Sequence, residues 1–285
     1  MSEQEVQLSL LYRQACEIEL QALKPGNVSV YADGHDMTVA DFRLSAEVSA
    51  PFLVKSSLSL GEKIYYAIEA TRLAVACNTN LGIVLLCAPI VEALQRHPDL
   101  PLRQGVALVL RHTTIDDANW VFRAIALAAP GGLGDAKEQD VHTKASVSLT
   151  EAMALASDRD RIALQYINNY ADIFDFLSYI YYNAWSRWGD HYWAAVTVYV
   201  NCLCNFADSH VERKYGSQYN DWIQAKMKQA SLVLSEADNP TQLIPFFLSI
   251  DHELKSKRIN PGTTADFTVA TAFVVLLESQ FCSPN

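Results

Sequence analysis

The sequence predicts an all-α protein, a single compact multi-helix domain over residues 1–285. Apolar residues make up 50% of the chain and charged residues 19%, which supports a large core and excludes a disordered chain. Apolar residues recur at spacings of three and four along most of the sequence, as in amphipathic helices. The sequence lacks long runs of alternating apolar and polar residues, which would indicate half-buried strands.

The helices of the first half follow from these spacings and from their end signals. The first ends at Lys24-Pro25-Gly26-Asn27, because proline lacks an amide donor and glycine accepts a left-handed backbone. Thr38 is expected to cap the second helix, and Thr113 with Asp116 is similar to a capping box for the sixth. The predicted helices of this half span residues 4–23, 39–57, 62–77, 81–95, 102–111 and 114–128.

The second half is also predicted to be helical, after a glycine-dense stretch at 129–135 and a polar loop that runs to residue 147. The polar stretch 135–147 is a candidate boundary between two helical lobes. Gly216 is expected to be a C-cap, and Asn260-Pro261-Gly262 is expected to form a turn. The predicted helices of this half span 148–156, 159–168, 170–187, 190–206, 208–215, 217–237, 241–256 and 264–279.

Charge and cysteine content exclude several classes of protein. The net charge is −10, from 22 basic and 32 acidic residues, and such a surface repels nucleic acid. The apolar runs are too short or too polar to span a membrane, and the acidic N-terminus lacks the basic region of a signal peptide. Six cysteines without a CxxC pair predict buried thiols in a cytoplasmic protein, with a zinc or redox site as the alternative.

The first candidate site is the loop between the first two predicted helices. A turn rich in Asp, Gly and Asn is usually only a turn. The functional interpretation is that one histidine and two carboxylates ligate a hard metal or hold a sugar. The polar side chains of this loop are Lys24, Asn27, Ser29, Asp33, His35 and Asp36.

Two further segments offer backbone donors that suit a phosphate. The first opens a buried helix with Asn78, Thr79, Asn80 and Gly82, and its alternative is an ordinary N-cap. The second contains Gly131, Gly132 and Gly134, and it matches neither a Walker A loop nor a dinucleotide-binding fingerprint.

A cationic face is predicted downstream of Asp208, where His210, Arg213 and Lys214 fall within one helical turn. Such a face suits a phosphate clamp on an acidic protein. The alternative is a solvated helix end, where basic residues favour the C-terminal dipole. Asp266 is expected either to face the site or to stand beside a capping Thr264.

The order of these segments is more specific than any one of them. Lys24-Pro25-Gly26, followed by Gly34-His35-Asp36-Met37, Phe42 and Ser45, resembles the opening signature of the triphosphoribosyl-dephospho-CoA synthase family. In this chain His35 directly precedes Asp36, whereas the family places one residue between them. The resemblance extends over most of residues 15–275.

Three later blocks and one insertion continue the resemblance. The blocks are Asn78-Thr79-Asn80-Leu81-Gly82, Asp208-Ser209 with Arg213 and Gly216, and Pro261-Gly262 with Ala265-Asp266. Residues 129–141 are similar to a divergent branch of the family, found in organisms with methanopterin-type one-carbon metabolism. This departure leaves the fold unchanged and opens the question of the acceptor.

The resemblance implies a cytoplasmic all-α pentosyl transferase that takes ATP as a substrate, with Mg²⁺ on the triphosphate. Adenine leaves, and 3′-dephospho-CoA accepts the triphosphoribosyl group. Two alternatives stay open: ribosyl-phosphate transfer to a pterin-linked pentitol, and nucleotide binding without catalysis. The expected partners are small molecules, neither nucleic acid nor membrane, and a homo-oligomer is compatible with the sequence.

The resemblance also implies roles for individual residues. His35, Asp36 and Asp208 are the expected catalytic residues, and Asp33, Asp36 and Asp208 the expected metal ligands. The remaining residues are expected to bind substrate or its phosphates. They are Lys24, Asn27, Ser29, Asn78, Thr79, Asn80, Gly82, Gly131, Gly132, Gly134, His210, Arg213, Lys214 and Asp266.

Overall fold

A computed structural model describes residues 1–129 and 140–281 of the chain. Within these ranges the protein forms fourteen α-helices, and β structure is limited to the isolated bridges Ser29–Ala32 and Gly34–Met37. The predicted all-α class is therefore confirmed. In chain order the helices are α1 (Glu3–Gln21), α2 (Val39–Leu53), α3 (Leu60–Val75), α4 (Leu81–Arg96), α5 (Leu102–Arg111), α6 (Ile115–Ala128), α7 (Leu149–Ala154), α8 (Arg161–Asn168), α9 (Ser178–Trp188), α10 (His191–Asn205), α11 (Ser209–Tyr215), α12 (Asn220–Glu236), α13 (Ile244–Ser256) and α14 (Gly262–Phe281).

The helices correspond closely to the predicted ones, and the differences have local causes. α2 ends at Leu53 instead of residue 57, since the amide and hydroxyl of Ser56 both donate to Glu5 Oε1 at 2.8 Å. The predicted helix over 170–187 begins instead with a π-helical turn, Asp172–Leu177, before α9. Two 3₁₀ turns, Gly216–Tyr219 and Pro240–Leu243, precede α12 and α13.

The capping box predicted at Thr113 and Asp116 lies one residue further along the chain. Thr114 is the N-cap of α6, and its hydroxyl accepts the Asp117 amide at 3.0 Å. Asp117 also accepts the Gly61 amide at 2.9 Å. The contact with α3 stabilises the box at Thr114 and Asp117, which accounts for the shift. Gly216 ends α11 as a C-cap with φ +62°, as predicted.

The chain divides into two compact units that are described separately. Unit 1 comprises residues 1–14, 41–171 and 276–285, and unit 2 comprises 15–40 and 172–275. Residues on both sides of the predicted boundary at 135–147 belong to unit 1. The single domain over 1–285 stays a prediction.

Unit 1 is built around α4, in which every residue from Leu81 to Leu94 is buried. α3 packs against α6 so closely that a Cβ at Gly61 would lie 2.6 Å from Asp117 Cα, which explains the glycine. In the described ranges, no helix has the length and apolarity needed to cross a membrane.

Unit 2 is built around α10, whose Tyr199 is fully buried. The loop between α1 and α2 packs against α13 in this unit, and α11 follows α10 after a short turn. This arrangement brings the loop residues 24–37 into contact with Leu254 and Lys255.

The described cysteines are all free thiols. Cys16, Cys87 and Cys202 are buried as predicted, whereas Cys77 and Cys204 are only half-buried. Burial raises the pKa of Cys204 to about 11, so its thiol is protonated at neutral pH.

Candidate active site

Lys24 lies beneath the loop that carries most of the predicted site. Its ammonium donates to Glu19 Oε1 at 2.9 Å, to the Glu19 carbonyl at 2.9 Å and to the Val28 carbonyl at 2.7 Å. These contacts use all three donors of the ammonium. Burial lowers the pKa of Lys24 and raises that of Glu19, and their ion pair partly offsets both shifts. Lys24 therefore supports the loop from inside, whereas the sequence placed it on a phosphate.

The Gly26 turn is fixed by contacts with two helices. The Gly26 amide donates to Asp251 Oδ1 at 2.8 Å, and the Tyr199 hydroxyl donates to the Pro25 carbonyl at 2.8 Å. Gly26 has φ +85°, and a Cβ there would lie 2.8 Å from Leu254 Cδ2. Both the backbone conformation and the close packing require glycine at this position.

Asn27 and Ser29 belong to the framework of the loop. Asn27 Nδ2 donates to Asn260 Oδ1 at 2.7 Å, and the Ser29 hydroxyl accepts the Tyr31 amide at 3.4 Å. Both side chains are buried. Their burial and hydrogen bonds favour a structural contribution, and their contact with substrate stays a prediction.

Two tight turns end the loop, and the second carries His35 and Asp36. The Gly34 carbonyl accepts the Met37 amide at 3.1 Å. His35 and Asp36 occupy the two central positions with φ +59° and +60°, as in a type I′ turn. Left-handed histidine and aspartate cost more than glycine there, and such strain concentrates at functional sites.

The His35 ring is oriented by a backbone carbonyl. Its Nε2 lies 2.8 Å from the Gly26 oxygen, and since a carbonyl only accepts, Nε2 must carry the hydrogen. Nδ1 is then the nitrogen that can exchange a proton with a substrate. The neighbouring Asp33 and Asp36 side chains are exposed, and Asp33 Oδ1 accepts the Val39 amide at 3.4 Å.

Asp208 connects the starts of two helices. Its Oδ1 accepts the amides of His210 and Val211 at 2.9 and 3.1 Å. Its Oδ2 accepts the amide and the hydroxyl of Thr264 at 2.8 and 2.7 Å. Burial raises the pKa of Asp208, and the Thr264 hydrogen bonds lower it. The four bonds occupy the acceptor sites of the carboxylate, which favours a positioning role over the expected metal or sugar contact.

His210 is the member of the predicted cationic face that contacts Asp208, through its amide. A Cβ at Gly262 would lie 2.8 Å from His210 Nδ1, so glycine allows the ring to pack against the start of α14. Burial lowers the pKa of His210 and the Asp208 carboxylate raises it, while the charges of Arg213, His35 and Lys214 lower it further. These predicted residues therefore lie within electrostatic range of one another.

The rest of the predicted set in unit 2 lies close by. The exposed Lys214 places Nζ 5.1 Å from the centre of the Tyr215 ring. Asp266 is half-buried in α14, four residues after Gly262. Its predicted contact with substrate stays a prediction.

The predicted residues of unit 1 form a polar group at the start of α4. Asn78 Oδ1 accepts the Leu81 amide at 3.2 Å, whereas the Asn80 side chain makes no cap. Asn80 Nδ2 donates instead to Thr71 Oγ1 at 3.0 Å and to Ser49 Oγ at 3.3 Å. Asn78 thus has the capping role that the sequence left open.

Thr79 and Gly82 complete this group. The hydroxyls of Thr79 and Ser45 lie 2.5 Å apart, and both side chains are buried. Gly82 is buried in the first turn of α4. Gly131, Gly132 and Gly134 fall outside the described residues, and their phosphate role stays a prediction.

The sequence did not identify Asp251, Tyr199 or Asn260 as site residues. Each holds the 24–27 turn through a contact more than 170 positions distant in the chain. Asp251 and Tyr199 look like ordinary helix residues in the sequence. Only Asn260, within a predicted Asn-Pro-Gly turn, stood near a recognised motif.

Comparison with known proteins now identifies the class. A family model described as ATP:dephospho-CoA triphosphoribosyl transferase matches residues 5–285. The chain belongs to this family, and it is a transferase of triphosphoribosyl groups that uses ATP as a substrate.

One solved structure and one search complete the comparison. A crystal structure from Archaeoglobus fulgidus, provisionally described as a triphosphoribosyl-dephospho-CoA synthase, is 21% identical with a TM-score of 0.63. The alignment covers 82% of this chain and 97% of that one, which shows a common fold. No protein in the curated set matches the chain.

Proposed function

We propose that the chain transfers the triphosphoribosyl group of ATP to the 2′-hydroxyl of 3′-dephospho-CoA at the site in unit 2. The bond from C1′ to adenine breaks and a bond from C1′ to the acceptor oxygen forms. Adenine gains one proton and the acceptor loses one. The observation that carries the site is the pair of basic residues, Arg213 and Lys214, in the last turn of α11, the helix that also carries His210. In a protein of net charge −10, their local positive field attracts a polyphosphate.

His35 is the proposed acid–base residue. The Gly26 carbonyl keeps hydrogen on Nε2, so Nδ1 is the nitrogen left to exchange a proton with the substrate. Asp36, on the same turn, is the proposed residue that stabilises positive charge on the ribose as adenine leaves. The two residues are neighbours in one turn, both with left-handed backbone.

Arg213, Lys214 and His210 are the proposed contacts for the triphosphate. Arginine pairs with phosphate oxygens through two parallel donors, and lysine acts as a point charge. Asp208 positions the start of α11, and therefore His210, through the His210 amide. Lys24 holds the loop and contributes no phosphate contact in this scheme.

Mg²⁺ fits the donor set only as an ion carried by the nucleotide. In residues 1–129 and 140–281, no group of three or more His, Cys, Asp or Glu side chains could hold a metal ion. Mg²⁺ commonly binds through one or two carboxylates plus substrate phosphates and water, and the exposed Asp33 and Asp36 would supply them. When bound, the ion neutralises charge on the triphosphate.

The direct test is release of free adenine from ATP, Mg²⁺ and dephospho-CoA, followed by chromatography. His35→Ala should lower kcat about 100-fold if the ring transfers a proton. His112→Ala is the matched control, because this exposed ring bonds the Leu108 carbonyl of the preceding helix and, within residues 1–129 and 140–281, no other group. Absence of adenine with dephospho-CoA would refute the proposed function.

The family match favours dephospho-CoA over both alternatives, a pterin-linked pentitol and nucleotide binding without turnover. The same assay with other acceptors distinguishes them. The free thiols of the described cysteines suit a reducing compartment, which supports a cytoplasmic location. Homo-oligomerisation stays a prediction, testable by sedimentation.

A further inference from the structure

Gly26 is held on both sides by side chains, one from distant α13 and one from its own loop. Its amide donates to Asp251 Oδ1, and its carbonyl accepts His35 Nε2, both at 2.8 Å. Asp251 is 6% exposed and lies on α13. A chain of two short hydrogen bonds therefore runs from a buried carboxylate to the proposed acid–base residue.

Asp251 is itself held in one orientation. Its Oδ2 lies 3.1 Å from Lys255 Nζ, and Lys255 also donates to the Ala32 carbonyl at 3.1 Å. The ion pair orients one carboxylate oxygen and leaves the other for the Gly26 amide. A salt bridge with Lys255, one helical turn away, does not by itself require a buried contact between Asp251 and the loop.

We propose that Asp251 is a positioning residue for His35, acting through the Gly26 backbone. The inference rests on the proposed function, because it assigns His35 the proton transfer. The Gly26 amide belongs to the Pro25–Gly26 peptide and the Gly26 carbonyl to the next one. By anchoring the first peptide, Asp251 fixes the Gly26 Cα from which that carbonyl extends towards His35. That carbonyl then selects the ring tautomer with hydrogen on Nε2, which presents Nδ1 to the substrate.

Tyr199 contributes to the same positioning from another direction. Its buried hydroxyl donates to the Pro25 carbonyl at 2.8 Å, one residue before Gly26. The Pro25 carbonyl and the Gly26 amide belong to one peptide group, which α10 and α13 therefore hold from its two sides. Removing either contact should let the Gly26 carbonyl turn away from His35.

A double-mutant cycle tests this inference. Asp251→Ala should lower kcat about 10- to 100-fold, as loss of an orienting partner does for ligand histidines. In the His35→Ala background the same change should cost less than about twofold, since no ring remains to be positioned. Asp251→Asn keeps an oxygen acceptor for the Gly26 amide and should retain more activity than Asp251→Ala.

The matched control is Glu253→Ala, two residues away on α13. Glu253 is a partly exposed acid that pairs with Lys226 at 2.8 Å and makes no described contact with the loop. Its loss should change kcat by less than about twofold in either background. Equal costs for Asp251→Ala in both backgrounds, or equal loss in the Asn and Ala variants, would overturn the proposal.

Two further measurements keep the test decisive. If Asp251→Ala fails to fold, Tyr199→Phe removes a single hydroxyl and enters the same cycle, where additive effects would overturn the inference. If His35→Ala stays fully active, the proposed role of His35 fails, but ¹⁵N chemical shifts of the His35 ring still report the tautomer. Nε2–H in the wild type and a mixture in Asp251→Ala support positioning, and an unchanged tautomer refutes it.

Discussion

Unit 1 and unit 2 each bury a lysine against a glutamate, and they use the pair differently. In unit 1, Lys63 on α3 contacts the carboxylate of Glu92 on α4 and donates to Gln95 Oε1 at 2.5 Å. In unit 2, two of the three acceptors of Lys24 are backbone carbonyls. The first pair fastens two regular helices. The second holds two backbone carbonyls in place, one at the end of α1 and one in the loop that follows it.

Each unit also uses one buried aspartate to join two helix starts. Asp117 accepts the Gly61 amide at the start of α3 and the Thr114 amide and hydroxyl at the start of α6. Asp208 makes the equivalent connection between α11 and α14. In unit 1 the two connected helices pack against each other, whereas in unit 2 the connecting aspartate also binds the amide of His210. A buried Lys–Glu pair and a buried aspartate thus stabilise helix packing in unit 1 and support the candidate site in unit 2.

The largest expected effect separates the two buried lysines. Lys24→Met and Lys63→Met each strand a buried carboxylate and should lower the free energy of unfolding by about 3–5 kcal/mol. At temperatures where both variants are folded, Lys24→Met should also lose kcat, because its loop carries His35. Urea unfolding and adenine release measure the two quantities, and equal kcat in both variants would contradict the assigned difference.

The two aspartates provide the next comparison. Asp117→Asn and Asp208→Asn each replace an acceptor oxygen by a donor and should cost about 3 kcal/mol, from lost charge-assisted hydrogen bonds. Only Asp208→Asn should raise KM for ATP, since it displaces the start of α11 and His210. An unchanged KM in Asp208→Asn would mean that this joint is purely structural.

Helix positions were largely predictable, because they depend on local spacing. α5 occupies residues 102–111 as predicted, and the Lys24-Pro25-Gly26-Asn27 stop follows the end of α1 at Gln21. Proline and glycine act within a few residues of themselves, so their effects are visible in the sequence. The fold class follows from the same local information.

The candidate site was only partly predictable, because its supporting contacts are long-range. Motif order placed His35 and Arg213 in the candidate set, and both lie within electrostatic range of His210. The burial of Lys24 was not foreseen, since a lysine in a polar loop usually faces solvent. Asp251 was missed because an acid on a helix has many ordinary explanations, and its partner Gly26 is 225 positions away.

Lowering the pH should reduce the free energy of unfolding through Glu5 in unit 1, and unit 2 has no matching effect at Glu19 or Asp208. Hydrogen bonds from the Ser56 amide, then the Ser2 amide and the Ser56 hydroxyl, lower the pKa of Glu5 to about 2. Its contribution to stability is complete above pH 4.5 and is lost as pH falls towards 2. Burial raises the pKa of Glu19 and Asp208 in unit 2, so protonating those two does not destabilise in this way.

Glu5→Gln tests this difference. The variant should be less stable than the wild type by about 2 kcal/mol at pH 7, since some hydrogen bonds survive. The difference in the free energy of unfolding between wild type and variant should narrow as pH falls below 4.5, the ordinary pKa of glutamate. Unfolding curves at several pH values measure it, and a gap that stays constant down to pH 2 would contradict the lowered pKa.

The smallest effect compares two arginines, one from each unit. Arg123 in unit 1 lies 4.3 Å from the Tyr65 ring centre and 4.2 Å from that of Trp120, and cation–π contacts of this kind contribute about 0.5–1 kcal/mol. Arg123→Ala should therefore lower Tm slightly and leave ATP affinity unchanged. Arg213→Ala should do the opposite, weakening ATP binding about tenfold, or about 1.4 kcal/mol, with Tm nearly constant.

Calorimetry with ATP and thermal unfolding of both variants complete this comparison. A large fall in Tm for Arg213→Ala would assign Arg213 to the framework of unit 2, like Lys24. Weaker ATP binding in Arg123→Ala would extend the nucleotide site into unit 1. The crossed result, affinity lost in one variant and stability in the other, is expected because Arg213 lies within electrostatic range of His210, whereas Arg123 packs against two rings.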